Sequence, residues 1–115
     1  MKISTLVSFV IMQLAVCLAI EQSFVLVNKT GINFYALYIS PAEEDNYGED
    51  LLDADILQNG KDIEIKFSND NNKCKWDFMI EDENGDSYYW KGIDLCKHNK
   101  IILHYENGKT RVSYK

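Results

Sequence analysis

The sequence predicts an all-β protein: an antiparallel β-sandwich of about seven strands with one short helical turn and one disulfide. From residue 23 onward, apolar and polar residues mostly alternate with period two, as they do in half-buried strands. Turn-forming residues recur between these segments at short spacing, which is typical of sandwiches and small barrels. Two cysteines follow the N-terminal segment and can staple such a small core. We therefore predict one domain over residues 20–115.

Residues 1–19 are predicted to be a secretory signal peptide. Lys2 precedes an uncharged apolar run that ends in small residues, so that cleavage after Cys17 or Ala19 is expected. A membrane anchor is one alternative, because the run is nearly long enough to span a bilayer. Lipidation of Cys17, giving a small envelope lipoprotein, is another. We expect a secreted or periplasmic protein with no membrane span after cleavage.

The charge of the chain excludes some classes of partner. The 115 residues carry a net charge of −6, and removing residues 1–19 takes away Lys2 and leaves −7. Nucleic acids and anionic lipids bind basic surfaces that release their counterions, so neither is expected as a partner. A cationic partner fits this charge, and we expect the domain itself to be a monomer.

The strand predictions start with residues 23–28 and 32–40. The second segment has apolar residues on both faces and stops at Pro41, so we expect it to be central in its sheet. Two further strands, over 61–69 and 74–82, are each expected to turn one apolar face inward: Ile63, Ile65 and Phe67 in the first, and Cys74, Trp76, Phe78 and Ile80 in the second. Asn84-Gly85 and Asn107-Gly108 predict hairpins, after which the remaining strands follow.

Cys74 and Cys96 are predicted to form a disulfide. They are the two cysteines that follow the predicted signal peptide, and an exported chain enters an oxidising compartment in which a disulfide is the default. Closing this loop should add about 3 kcal/mol to the free energy of unfolding.

The residues for catalysis are few, so we expect no enzyme. His98 and His104 fit surface positions, and no Gly-x-Ser-x-Gly, His-Glu-x-x-His or phosphate-binding glycine loop occurs. Clustered Cys or His for zinc are missing from the sequence as well. Paired carboxylates could serve a glycosidase only in a deep cleft, which a sandwich of this size rarely builds.

The acidic segment 43–55 holds seven carboxylates and is the main candidate for a site. Calcium prefers such oxygen ligands on loops, and Glu49, Asp50, Asp53 and Asp55 are the ligands that we would expect. The alternative is a solvated acidic loop, since charge runs usually mark exposed faces. Residues 49–58 favour a short helical turn, with Leu51 and Leu52 packed against one end of the sandwich. No other cofactor is expected.

Aromatic residues offer a different function. Exposed aromatics on a sandwich face commonly stack on sugars or anchor protein partners, and we predict such a surface at Tyr47, Gly48, Tyr88 and Tyr89. Trp76 and Trp90 are instead expected in the core. Asn28-Lys-Thr30 is a glycosylation sequon if the source modifies exported chains.

Two motifs carry a resemblance to a known family. Residues 47–52 read Tyr-Gly-Glu-Asp-Leu-Leu and residues 90–96 read Trp-Lys-Gly-Ile-Asp-Leu-Cys. With "LYISP" and "CKWD", they resemble a family of small exported bacterial proteins of unknown function, in which the first motif usually begins with Trp rather than Tyr47. The resemblance spans roughly residues 23–105. It implies export, the disulfide and an all-β fold, and it offers no catalytic residue to transfer.

Together these observations lead us to expect an exported, non-catalytic binding module for a protein or glycan. A calcium-binding sandwich that uses the 43–55 segment and a lipoprotein anchored through Cys17 are the alternatives.

Overall fold

The computed structural model describes residues 20–70 and 72–115; the predicted signal peptide, with Cys17, lies outside them. The described residues form seven strands and no helix, so no helix there could cross a membrane. The strands are β1 (Glu21–Lys29), β2 (Ala36–Pro41), β3 (Asp62–Ser68), β4 (Lys75–Glu81), β5 (Ser87–Asp94), β6 (Lys100–Glu106) and β7 (Lys109–Tyr114).

The strands form two sheets, in the orders β3-β1-β6-β7 and β2-β4-β5. This confirms the predicted all-β sandwich of seven strands. The expectation of purely antiparallel pairing is wrong at one place, because β1 and β6 run parallel. Parallel neighbours need a long crossover connection, and here the chain passes through the other sheet between β1 and β6. A long-range pairing of this kind has no local sequence signal.

The core lies between the sheets and follows the predicted alternation. Trp90 is 2% exposed, and its indole N–H donates to the carbonyls of His104 and Arg111, so that it joins β5 to β6 and β7. Trp76 is also buried and packs edge-to-face on Phe67 with 5.1 Å between ring centroids. Both tryptophans therefore belong to the core, as predicted.

The two Asn-Gly hairpins are confirmed. Asn107 and Gly108 link β6 to β7 with φ angles of 53° and 76°, the left-handed backbone that a two-residue turn requires. The turn between β4 and β5 is longer and is organised by Asp82, whose carboxylate accepts hydrogen bonds from the amides of Asn84 and Asp86. These turns fix the register of their strands.

The predicted disulfide is present. Cys74 and Cys96 are bonded, and they tie the start of β4 to the end of β5. Both cysteines are exposed, although Cys74 was expected to point inward. It precedes Lys75, the first residue of β4, and so lies outside the alternation that buries Trp76 and Phe78.

The prediction of a central strand over residues 32–40 is wrong. β2 begins at Ala36 and is an edge strand of its sheet, while Phe34 makes an isolated bridge to Leu57. Both faces of β2 are nevertheless largely buried. The acidic segment covers the free edge of β2.

Candidate functional site

Part of the acidic segment takes the place of a strand beside β2. The amide of Leu51 donates to the carbonyl of Leu37 at 2.8 Å, and the amide of Gly48 donates to that of Ile39 at 3.4 Å. The amide of Leu37 donates in turn to Asp50 Oδ1 at 3.0 Å, and this oxygen also accepts from the amide of Leu52 at 2.9 Å. Residues 48–51, called here the edge cover, thereby occupy hydrogen-bonding groups that an open sheet edge would expose.

The helical turn expected within residues 49–58 is not formed. Two successive turns occur instead, closed by hydrogen bonds from Asp53 N to Asp50 O and from Asp55 N to Leu52 O. Asp53 and Ala54 have φ angles of 51° and 74°, and a left-handed backbone cannot continue a right-handed helix. Leu52 is buried in the core, which confirms the predicted role of the leucines.

The four predicted calcium ligands are not gathered into a cluster. Glu49, Asp53 and Asp55 are exposed, whereas Asp50 is half-buried and its Oδ1 already accepts two amide hydrogen bonds. Within residues 20–70 and 72–115, the only group of three ligand-type residues within 4.8 Å of one another is Cys74, Asp94 and Cys96. Its sulfur atoms are bonded to each other. The calcium hypothesis therefore rests on the sequence alone.

A second group of residues lies on the outward face of the β2-β4-β5 sheet. The strand register places Tyr38 beside Met79 and Met79 beside Tyr89, so these three side chains form one row across the sheet. Tyr47, which precedes the edge cover, contacts the end of this row, with 6.4 Å between its ring centroid and that of Tyr89. We call Tyr38, Tyr47, Met79, Tyr89 and Lys91 the tyrosine face. Tyr89 is 43% exposed.

Lys91 is held on this face by a buried carboxylate. Its Nζ lies 5.5 Å from the ring centroid of Tyr89 and 3.6 Å from Asp77 Oδ2. Asp77 is 1% exposed and accepts hydrogen bonds from the amides of Glu43 and Gly92. Loss of water acts to lower the pKa of Lys91, but Tyr47 and Asp77 outweigh it and raise that pKa. Lys91 therefore stays charged over the physiological range.

The hydroxyl of Tyr47 is buried and has no hydrogen-bond partner among the described residues. Burial raises the pKa of Tyr47, while Lys91 acts in the opposite direction, so the phenol stays neutral. An unpartnered buried hydroxyl is unfavourable, and because this oxygen is inaccessible to solvent, a ligand could supply an acceptor only if Tyr47 moves. It is the one buried side-chain polar atom of this kind in the described residues.

The four predicted binding residues lie in three different places. Tyr47 and Tyr89 are in contact, whereas Tyr88 points to the other side of β5, where its ring packs on Tyr105 and its hydroxyl donates to Asp82. Gly48 belongs to a different feature, a cleft of about 440 Å³ between the edge cover and β3. Sequence reasoning missed Lys91 and Asp77, because a buried carboxylate in a strand has no local signature.

The two histidines show no organised catalytic group. His98 stacks on Tyr114 with 3.8 Å between ring centroids. His104 Nε2 lies 2.8 Å from Ser113 Oγ, a contact that pairs a base with a possible nucleophile. Burial, and then Arg111, lower the pKa of His104. No third residue of the described chain hydrogen-bonds its other ring nitrogen, as a triad requires.

The sequon asparagine is a structural residue. Asn28 is fully buried, and its amide group donates to the carbonyls of Ile32 and Leu57. Its Oδ1 accepts from both the amide and the hydroxyl of Thr30. Both polar atoms of the side chain are therefore used in the turn after β1, and a glycan at this position is incompatible with the fold.

Comparisons with known proteins add little. No protein-family model and no curated protein sequence matches the chain. A protein from Eubacterium rectale, whose structure was determined by NMR, is similar over 82% of this chain and 87% of its own. The two share 15% of their residues, and the TM-score is 0.48, a likeness from which we draw no functional conclusion.

Proposed function

We propose that the protein is an exported, non-catalytic binding module whose tyrosine face contacts a protein partner of net positive charge. The observation that carries this proposal is the Tyr47–Tyr89 pair, with its unpartnered hydroxyl, on the outward side of a sheet. Export is supported by the Cys74–Cys96 disulfide and by the N-terminal sequence.

The chemistry of the tyrosine face suits a protein contact. Tyrosine rings provide a large rigid contact area, and they are enriched among residues that dominate binding energy. Met79 lies beside Tyr89 and adds a flexible apolar side chain that can adapt to a partner. The Tyr47 hydroxyl adds a donor that becomes available when the ring moves on binding, which would relieve its unpartnered state.

The charge around this face favours a basic partner. The chain without residues 1–19 has a net charge of −7, and the exposed Glu43, Glu44 and Asp45 lie two to four residues before Tyr47. Carboxylates at the rim of an interface speed the encounter with a cationic surface. The positive charge of Lys91 opposes the attraction of a cationic partner only weakly, because the carboxylate of Asp77 lies 3.6 Å from its ammonium group.

The test is capture with the chain 20–115 from the native medium or envelope fraction. Replacing both Tyr47 and Tyr89 with alanine should lower the affinity for the captured protein by about thirtyfold or more, the scale of a loss at an interface hot spot. Tyr35→Ala is the matched control, since Tyr35 is 37% exposed but is not part of the tyrosine face. Equal capture by the wild type and the double variant, or elution by free sugars, would contradict the proposal.

Tyr47→Phe separates binding from folding. It removes the unpartnered hydroxyl and keeps the ring, so the free domain should be as stable as the wild type or more stable. Binding should weaken if a partner bonds this hydroxyl. A variant that binds as the wild type does would exclude the hydroxyl from recognition and leave only the rings.

A further inference from the structure

β3 is a sheet edge that no other segment of the described residues pairs with or covers. The edge of β2 is occupied by the edge cover, and β5 and β7 approach each other on the opposite side of the sandwich. β3 pairs with β1 on one side only. Uncovered edges tend to pair with other strands, and proteins usually prevent this with covers or charges.

The register identifies the free backbone groups of β3. Asn28 N donates to Lys61 O and Asn69 N donates to Ile20 O, so the odd-numbered residues of this segment face β1. The even-numbered residues Asp62, Glu64, Lys66 and Ser68 therefore direct their N–H and C=O groups away from β1. No hydrogen bond from elsewhere in the described chain reaches these groups.

We infer that at high concentration, in place of the monomer expected from the sequence, β3 pairs antiparallel with β3 of a second copy of this chain, with Ile65 facing Ile65 across a twofold axis. In this register Glu64 lies opposite Lys66 of the second copy, and Lys66 lies opposite its Glu64. Both side chains are exposed and neither has an ion pair in the described residues. Opposite charges in such cross-strand pairs are attractive.

Neighbouring registers are disfavoured by the same charges. A shift of one residue in both strands brings Glu64 against Glu64 or Lys66 against Lys66, and like charges directly opposite are destabilising. In the Glu64–Glu64 register Asp62 faces Lys66, so opposite charges partly offset that repulsion. Charges on an edge strand commonly prevent association. Among these registers, only the one centred on Ile65 forms opposite-charge pairs without placing like charges of residues 62–68 opposite each other.

The cleft beside β3 offers space for the added strand. The apolar lining of this cleft comes from Phe67 on β3 and from Ile39, Leu51 and Trp76. In the inferred register Ile63 of the second copy lies opposite Phe67 on the inward side. Ile63 is half-buried in its own copy and would gain contacts at the mouth of this cleft. The tyrosine face lies on the other sheet and stays free in the dimer.

The test is sedimentation of the chain 20–115, disulfide intact, in 0.15 M salt, which moderates repulsion between two acidic copies. Because the interface is small, concentrations up to about 1 mM are needed. The wild type should form dimers. Glu64→Lys and Lys66→Glu should each weaken dimerisation about tenfold or more, since both symmetric pairs become repulsive. The combined swap should restore it.

Glu83→Lys is the matched control, because it changes the net charge by the same amount as Glu64→Lys at an exposed turn. A monomer at every concentration, or single variants that dimerise as the wild type does, would overturn the inference. Amide hydrogen exchange needs no variant: protection of the Glu64 and Lys66 amides should rise with protein concentration. Unchanged exchange would equally overturn it.

Discussion

Replacing Asp50 with alanine removes the acceptor that closes the free edge of β2. Asp50 Oδ1 accepts from the amides of Leu37 and Leu52, and these two residues are 0% and 2% exposed. Each buried amide left without a partner costs about 1–3 kcal/mol. Water can reach part of the half-buried site, so we expect a loss of about 2–4 kcal/mol in the free energy of unfolding.

Urea unfolding of the chain 20–115 with its disulfide intact measures this loss. It corresponds to a decrease in Tm on the order of 10–20 °C for a domain of this size. Asp50→Asn keeps a neutral acceptor and should lose about half as much, because hydrogen bonds to charged groups are roughly twice as strong. Glu49→Ala and Asp55→Ala are controls, since both side chains are exposed. If Asp50→Ala stays within about 0.5 kcal/mol of the wild type, the edge cover does not depend on this carboxylate.

Two further predictions concern the turn after β1 and the acidic segment. Asn28→Ala should lower the free energy of unfolding by more than about 3 kcal/mol in the same assay, because it leaves several buried groups without hydrogen-bond partners. The control Asn59→Ala, at an exposed position with one side-chain hydrogen bond, should cost about 1 kcal/mol or less. Folded protein secreted from a glycosylating host should carry Asn28 unmodified by mass spectrometry, and a folded glycoform would refute this account of the residue. Calcium at about 10 mM should leave Tm unchanged, since a ligand that binds only the folded state would raise it; a rise that a chelator reverses would support the calcium hypothesis.

The strands and hairpins could be predicted because their signals are local. Alternation places Ile65 and Phe67 inward on β3, and Asn107-Gly108 supplies the backbone angles of its turn. The same alternation along β5 could have separated Tyr88 from Tyr89, since neighbours in a strand point to opposite faces.

The features of the fold and the site that could not be predicted depend on contacts between distant parts of the chain. β2 is apolar on both faces without being central, because the edge cover supplies its missing neighbour. The segment after Asp50 has the composition of a helical turn, but Asp53 and Ala54 adopt left-handed backbone angles. Asp77 has the sequence pattern of an outward strand residue, and only the fold buries it among amides and Lys91.

The most direct test of the proposed binding face is a set of NMR spectra of the isotope-labelled chain 20–115. The spectra are recorded with and without the proteins that cation-exchange chromatography retains from the native medium. The proposal predicts that amide shifts or line broadening concentrate at Tyr47, Met79, Tyr89 and Lys91. Changes confined to the β6–β7 hairpin or to residues 53–58, with these four signals unaffected, would contradict it.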